Sequence, residues 1–213
     1  EVASGIAAVV VAIGYEAAAQ KSLGNLERGG GKVITGLELE RLLSGRRGGP
    51  ALPEGCASVA FLQCFGSRDV KEKALYCSRV CCGYATRAAK ALKYLDPQLK
   101  IVIFYMDLQA VEPGSYYEEL ERLGVEFIRC RPVRIRPGER AAVVCEQPET
   151  GALIAREFDL VVLSEGIHPA ADAGQMAELL PLGLDERGFL RRLRPDELTG
   201  VYLAGCAGGP KRI

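Results

Sequence analysis

With 213 residues, 48% of them hydrophobic and 25% charged, the chain has the size and composition of an ordinary globular protein of one domain or two small interleaved ones. Its formal net charge of zero removes the electrostatic case for binding nucleic acid or an anionic membrane surface. The longest apolar run, Ile6 to Ile13, is too short to span a bilayer and lacks the basic start and cleavage site of a secretory signal. The expectation is a cytoplasmic protein that reaches a membrane only through partners.

Ala7 to Ile13 (AAVVVAI) is a continuous β-branched run ending at Gly14, the pattern of a strand buried on both faces of a parallel sheet. Gly29 to Gly31 marks a turn. Thr35-Gly36-Leu37-Glu38 then opens a short amphipathic helix, with Thr35 as N-cap and Glu38 completing a capping box. The stretch from Arg46 to Gly55, rich in Gly, Pro and Arg, reads as a linker. Val59 to Gln63 is the next strand, leading into a turn at Gly66-Ser67-Arg68-Asp69. A helix is expected from about Tyr76 to Leu95, stopped by Asp96-Pro97. Lys100 to Met106 is a strand, Tyr116 to Leu123 a helix, and Val125 to Cys130 a strand. Strand–helix–strand–helix–strand is the first half of a dinucleotide-binding fold.

Val133 to Gln147 and Ala155 to Leu163 read as an antiparallel excursion that closes on a returning strand at Leu160 to Leu163. Gly200 to Ala204 (GVYLA) is a last buried strand before a Gly-rich turn. The whole resembles an α/β, thioredoxin-reductase-like flavoprotein: two interleaved Rossmann-type nucleotide-binding domains, a parallel sheet and an antiparallel β excursion. On that resemblance, residues 1–55 and 171–213 are parts of an incomplete FAD-binding domain, and 56–170 is an inserted NAD(P)-type domain. The missing opening βαβ unit, the start at Glu1 and the stop at Arg212-Ile213 imply a piece of a longer polypeptide.

Four of the eight cysteines fall between Cys64 and Cys82 in the pattern C-x12-C-x3-C-C. Such clustering favours metal ligation over a disulfide framework. If the helix begins at Tyr76, Cys77 and Cys81 stand one turn apart, with Cys82 rotated by about 100° and Cys64 reaching over from the strand end. Four splayed thiolates at a helix N-terminus suit a 4Fe–4S cluster. Structural zinc also takes four thiolates, but usually from paired knuckles on turns. A redox disulfide and plain buried thiols remain as further readings. No GxGxxG follows the Val59 strand, which argues against NAD(P) binding there. Cys56, Cys130 and Cys145 read as simple thiols, His168 as a loop or capping residue, and Asp107 as structural.

The segments FLQCFGSRD, YCSRVCCGYA, IFYMDLQA, FDLVVLSEG and GVYLAGCAGGPK resemble the A subunit of heterodisulfide reductases and related subunits of quinone-interacting and other anaerobic redox complexes. The resemblance covers nearly the whole chain. It implies an oxidoreductase subunit that passes electrons between FAD and a 4Fe–4S cluster, in some relatives with flavin-based electron bifurcation, and it makes Cys64, Cys77, Cys81 and Cys82 the cluster ligands. It further implies partner redox subunits of the heterodisulfide reductase B and C type, or linked to a hydrogenase or dehydrogenase, and it allows a homodimer. On the flavin side it points to Ile13, Gly14, Gly205, Cys206, Gly209 and Lys211. The chain departs from related flavoproteins in reading Ala12-Ile13-Gly14 where they have A-T-G, and Gly205-Cys206 where they have G-D. The alternative function is a zinc-stapled scaffold that docks partner subunits without electron transfer. A nucleotide-dependent reductase using the cysteines as a redox pair is a third.

Overall fold

Ser58–Phe65 is buried at every position but the last, as a strand must be when both faces of its sheet are covered. The structure, a computed structural model, describes residue 5 and residues 7–18, 32–45, 52–108, 115–136, 138–146, 150–193 and 200–211. In chain order the described elements begin β1 (Val9–Val11), β2 (Glu16–Ala17), β3 (Val33–Thr35), α1 (Gly36–Leu43), β4 (Ser58–Phe65), α2 (Cys81–Leu95), β5 (Lys100–Tyr105), α3 (Ser115–Arg122) and β6 (Val125–Arg129). They continue with β7 (Pro132–Arg136), β8 (Ala141–Glu146), β9 (Leu153–Phe158), β10 (Leu160–Glu165), β11 (Ile167–His168), α4 (Ala173–Leu179), β12 (Leu182–Leu184), β13 (Leu190–Arg192) and β14 (Val201–Leu203).

The central layer is a five-stranded parallel sheet in the order β3-β10-β4-β5-β6. Phe61 stands beside Val162 on one side and Ile103 on the other. Alternation along these strands makes two apolar faces. Val59, Phe61, Ile101, Ile103, Leu160 and Val162 pack against Leu39 of α1, the Ala85, Ala88, Ala89 and Leu92 stripe of α2, and Leu120 of α3. Ala60, Leu62, Val102, Phe104, Val161 and Leu163 pack on the other side against Val143, Cys145 and Phe158 of the antiparallel β7-β8-β9 sheet. The helix-side alanines let α2 lie close to the sheet, and its end is tied by Lys93, whose Nζ donates to the carbonyls of Pro97 and Leu99.

A second apolar cluster joins Val11, Ala173, Leu182, Leu190, Val201 and Ala207 around the parallel β1–β14 pair and the β12–β13 hairpin. The antiparallel β2–β11 pair ties this outer layer to the end of the central sheet.

The Thr35 cap forms as the sequence demands: the Glu38 amide donates to Thr35 Oγ1 at 3.1 Å, and the Thr35 amide donates to Glu38 Oε2 at 2.7 Å. Three local expectations change. The strand at 7–13 is regular only over Val9–Val11, and Val10 is 63% exposed, because among the described residues β1 has a single neighbour. The helix expected from Tyr76 begins at Cys81, because Arg68, Lys73 and Arg79 adopt positive φ (54°, 53° and 60°) and fold the preceding stretch into turns. A boundary at residue 55 separates Val33–Thr35 from β10, the strand with which it pairs, so the central layer starts further back. The turn at Gly29–Gly31 and linker residues 46–51 lie outside the described residues. Among the described residues, no helix is long and apolar enough to cross a membrane.

Candidate metal centre and adjoining cavity

In open parallel sheets, functional groups gather beyond the carboxyl ends of the strands. Cys64 lies at that end of β4, with φ of +60°, and Gly66 follows at +68°. An L-residue in this region costs about 1–2 kcal/mol. Here it turns the chain sharply out of the sheet beside the N-terminus of α2. Cys81 and Cys82 open that helix, and with Cys64 they form one buried cluster against which Tyr84 and Met106 pack. Cys77 is half-buried in the loop before the helix rather than on it, and its sulfur accepts the Arg79 amide at 3.3 Å.

The thiols are tightly linked. The Cys81 thiol donates to the Cys64 sulfur and holds the Cys64 thiol below its ordinary value, burial opposing and Arg68 assisting. The neighbouring Cys64 and Cys82 sulfurs, together with burial, push the Cys81 thiol well up. Burial raises the Cys77 thiol, offset in part by the Arg79 amide. Arg68 also forms an ion pair with Asp107, the acid that would face an NAD ribose if the glycine turn existed.

These residues fit a bound iron–sulfur group. Soft thiolate donors suit iron–sulfur clusters or zinc. Val80, the N-cap of α2, supplies no side-chain hydrogen bond, so the first-turn amides remain to meet negative charge on sulfur. Among the described residues, no group of three or more His, Cys, Asp or Glu side chains is arranged to hold a metal ion.

Beside the cysteines opens a cavity of about 410 Å³ lined by Tyr15, Leu37, Val80, Tyr84, Glu165 and Cys206, among others. Burial raises the phenol of Tyr15 and pushes that of Tyr84 well above its ordinary value, so both remain hydrogen-bond donors. Of the residues expected on the flavin side, Cys206 lines the cavity. Gly14 (φ +73°) and Gly205 (φ +58°) present open backbone, with nothing within 4 Å of where a Cβ would stand. Ile13 packs instead on the outer apolar cluster, Gly209 sits under Arg187, and Lys211 is exposed and not among the cavity's lining residues. Tyr15, Tyr84 and Glu165 were not legible as site residues. Only Tyr84 carries a local signal, being three residues after Cys81 and so on the same helix face.

A larger cavity of about 610 Å³ lies at the opposite end of the strands, near Ser58 and Lys100. Two of its arginines are engaged, Arg140 with Asp159 and Arg156 with Glu126.

No protein-family model matches the chain. The fold places it in a class: it is thioredoxin-reductase-like. The thioredoxin reductase of T. acidophilum superposes with a TM-score of 0.56 at 18% identity, over 96% of this chain and 58% of that one. Lactococcus lactis thioredoxin reductase gives 0.54 at 15% identity, over 97% and 59%.

Within that class, the sequence is related to the A subunits of heterodisulfide reductases. It is 39% identical over 208 residues to the iron-sulfur A subunit of the CoB–CoM heterodisulfide reductase of Methanocaldococcus jannaschii, covering 85% of this chain and 30% of the relative. It is 38% identical over 228 residues to the A subunit of the H(2):CoB-CoM heterodisulfide,ferredoxin reductase of Methanothermobacter thermautotrophicus, covering 98% and 34%. The chain thus spans 30% and 34% of these relatives' lengths and matches one stretch of each.

Proposed function

We propose that this chain is the part of a heterodisulfide-reductase-A-type oxidoreductase subunit in which FAD and a 4Fe–4S cluster exchange electrons, the cluster being held by Cys64, Cys77, Cys81 and Cys82. The observation that carries the reading is the burial of three of these thiols together at an uncapped helix N-terminus, against a cavity that Cys206 lines. The cofactors supply the redox chemistry, a two-electron flavin beside a one-electron cluster.

The chain's own residues hold and shield. Cys64 is aimed by its left-handed backbone, and Cys81 and Cys82 by the first turn of α2. Arg68 places a cation beside the Cys64 sulfur, and the α2 amides offset the negative charge of the cluster. The open backbone at Gly14 and Gly205 permits close approach of a flavin at the mouth of the cavity. In this reading the outer segments, 1–55 and 171–213 less the β3–α1 unit, belong to the FAD domain. Partner subunits with further redox centres, a cytoplasmic setting, a homodimer and electron bifurcation are parts of the same proposal. The names of the relatives, subunits of reductases with more than one substrate, support the redox partners.

Anaerobic reduction of the full-length subunit followed by low-temperature EPR tests it. A paramagnetic cluster signal that appears as the flavin band bleaches is expected. Complete bleaching of flavin with no cluster signal at any stage of reduction would sink the proposal.

A further inference from the structure

The cavity and the cysteine cluster share one side chain. Tyr84 lines the cavity and also packs against Cys64, Cys81 and Cys82. It is fixed from several sides. Its amide is in the first turn of α2, donating to the Val80 carbonyl at 3.1 Å. Its hydroxyl reaches across to the end of β10 and donates to the Glu165 carbonyl at 2.9 Å. Gly36, at the start of α1, lies so close to the ring that a Cβ there would come within 2.5 Å of Tyr84 Cε2. Gly36 has no left-handed backbone to explain it, and glycine disfavours a helix by about 1 kcal/mol relative to alanine. The ring explains it: α1 gives up a side chain to make room for Tyr84.

We infer that Tyr84 is a positioning residue that forms the wall between the cavity and the cluster, fixing the separation of a ring bound in the cavity from the cluster and keeping cavity water off the thiolates. This rests on the reading of the four cysteines as cluster ligands. A tyrosine that merely filled the core would stabilise the fold without affecting the cluster. A wall affects it directly, because cluster potentials respond to solvent exposure and to the surroundings of the sulfurs. Water reaching the cluster favours the more negatively charged reduced form and raises its potential.

The experiment uses the full-length subunit, purified anaerobically, as wild type, Tyr84→Phe, Tyr84→Ala and Gly36→Ala. Iron per chain, the EPR-monitored midpoint potential and the rate of cluster bleaching in air are measured. Tyr84→Ala should keep its iron, titrate at a higher potential and bleach several-fold faster, while Tyr84→Phe stays close to wild type. Gly36→Ala, which displaces the ring without removing it, should shift in the same direction as Tyr84→Ala. Full iron with unchanged potential and bleaching rate in Tyr84→Ala would overturn the inference. If that variant does not fold, unchanged values in Gly36→Ala would do the same. A wild type without iron would overturn the cluster assignment itself, which is a separate result.

Discussion

The Nε2 of His168 meets the carbonyl oxygen of Gly66 at 2.7 Å, joining β11 to the turn that leaves Cys64. Since a carbonyl can only accept, the imidazole carries its proton on Nε2. His168 is buried, so its loss leaves a carbonyl beside the cysteine cluster without that donor. His168→Ala should cost about 1–3 kcal/mol of stability, the usual penalty for orphaning a buried polar group. Denaturant unfolding measures it, and a change within about 0.5 kcal/mol, typical of a surface substitution, would show that the contact does not brace the turn.

Gly66 itself has two reasons to be glycine. Its φ is +68°, and a Cβ there would stand 2.2 Å from Ala18 Cβ. Gly66→Ala should therefore destabilise by about 2–4 kcal/mol, strain and overpacking together. Thermal unfolding would register this as a clear drop in Tm. A Tm equal to wild type would mean that the segment around Ala18 yields freely.

At the other end of the sheet, Asp159 joins three segments: it accepts from the Ser58 hydroxyl at 2.7 Å, the Ala57 amide at 3.1 Å and Arg140 at 2.9 Å. Burial raises its carboxyl, but these donors together hold it below its ordinary value. A carboxyl lowered in the folded state contributes stability that is present above its unfolded pKa and is lost as pH falls through the folded one. Stability should therefore decline on acidification below about pH 4, the ordinary Asp range, and Asp159→Asn should flatten that part of the profile. An identical acid profile in the variant would place the linkage elsewhere.

Six of the eight cysteines fall into two groups by position. Cys130 and Cys145 are buried against the antiparallel sheet, and burial together with a hydrogen bond from Cys130 to Cys145 pushes the Cys130 thiol up to about 12. The pair lies in the core between the central and antiparallel sheets, apart from the cluster of Cys64, Cys81 and Cys82. Cys130→Ser should leave iron content unchanged, whereas Cys81→Ser should lower it. Equal losses in both would undo the ligand assignment.

What could be read from the sequence was local. The Thr35–Glu38 capping box lies within four residues, and the apolar runs of β4, β5 and β10 announce a covered parallel sheet without reference to anything distant. The start of α2 is different. Four-residue spacing suggests that Cys77 and Cys81 share a helix, but Arg68 is held by Asp107, far along the chain, and Ser78 Oγ accepts the Ile167 amide at 2.9 Å. These distant contacts favour turns over helix. The thioredoxin-reductase-like fold was legible from element order, but Val33–Thr35 was not, since a three-residue strand gains its place only by pairing with β10. The wall of the cavity was hidden for the same reason: Tyr15, Tyr84 and Glu165 come from three separate segments and meet only in the folded chain.

The most direct test of the central claim is the iron and acid-labile sulfide content of anaerobically purified protein, with its visible spectrum. About four irons and four sulfides per chain, with a broad absorption that bleaches on reduction, is the result expected of a cluster held by four thiolates. A colourless protein with one zinc and no sulfide would contradict it, and the four cysteines would then be a structural staple.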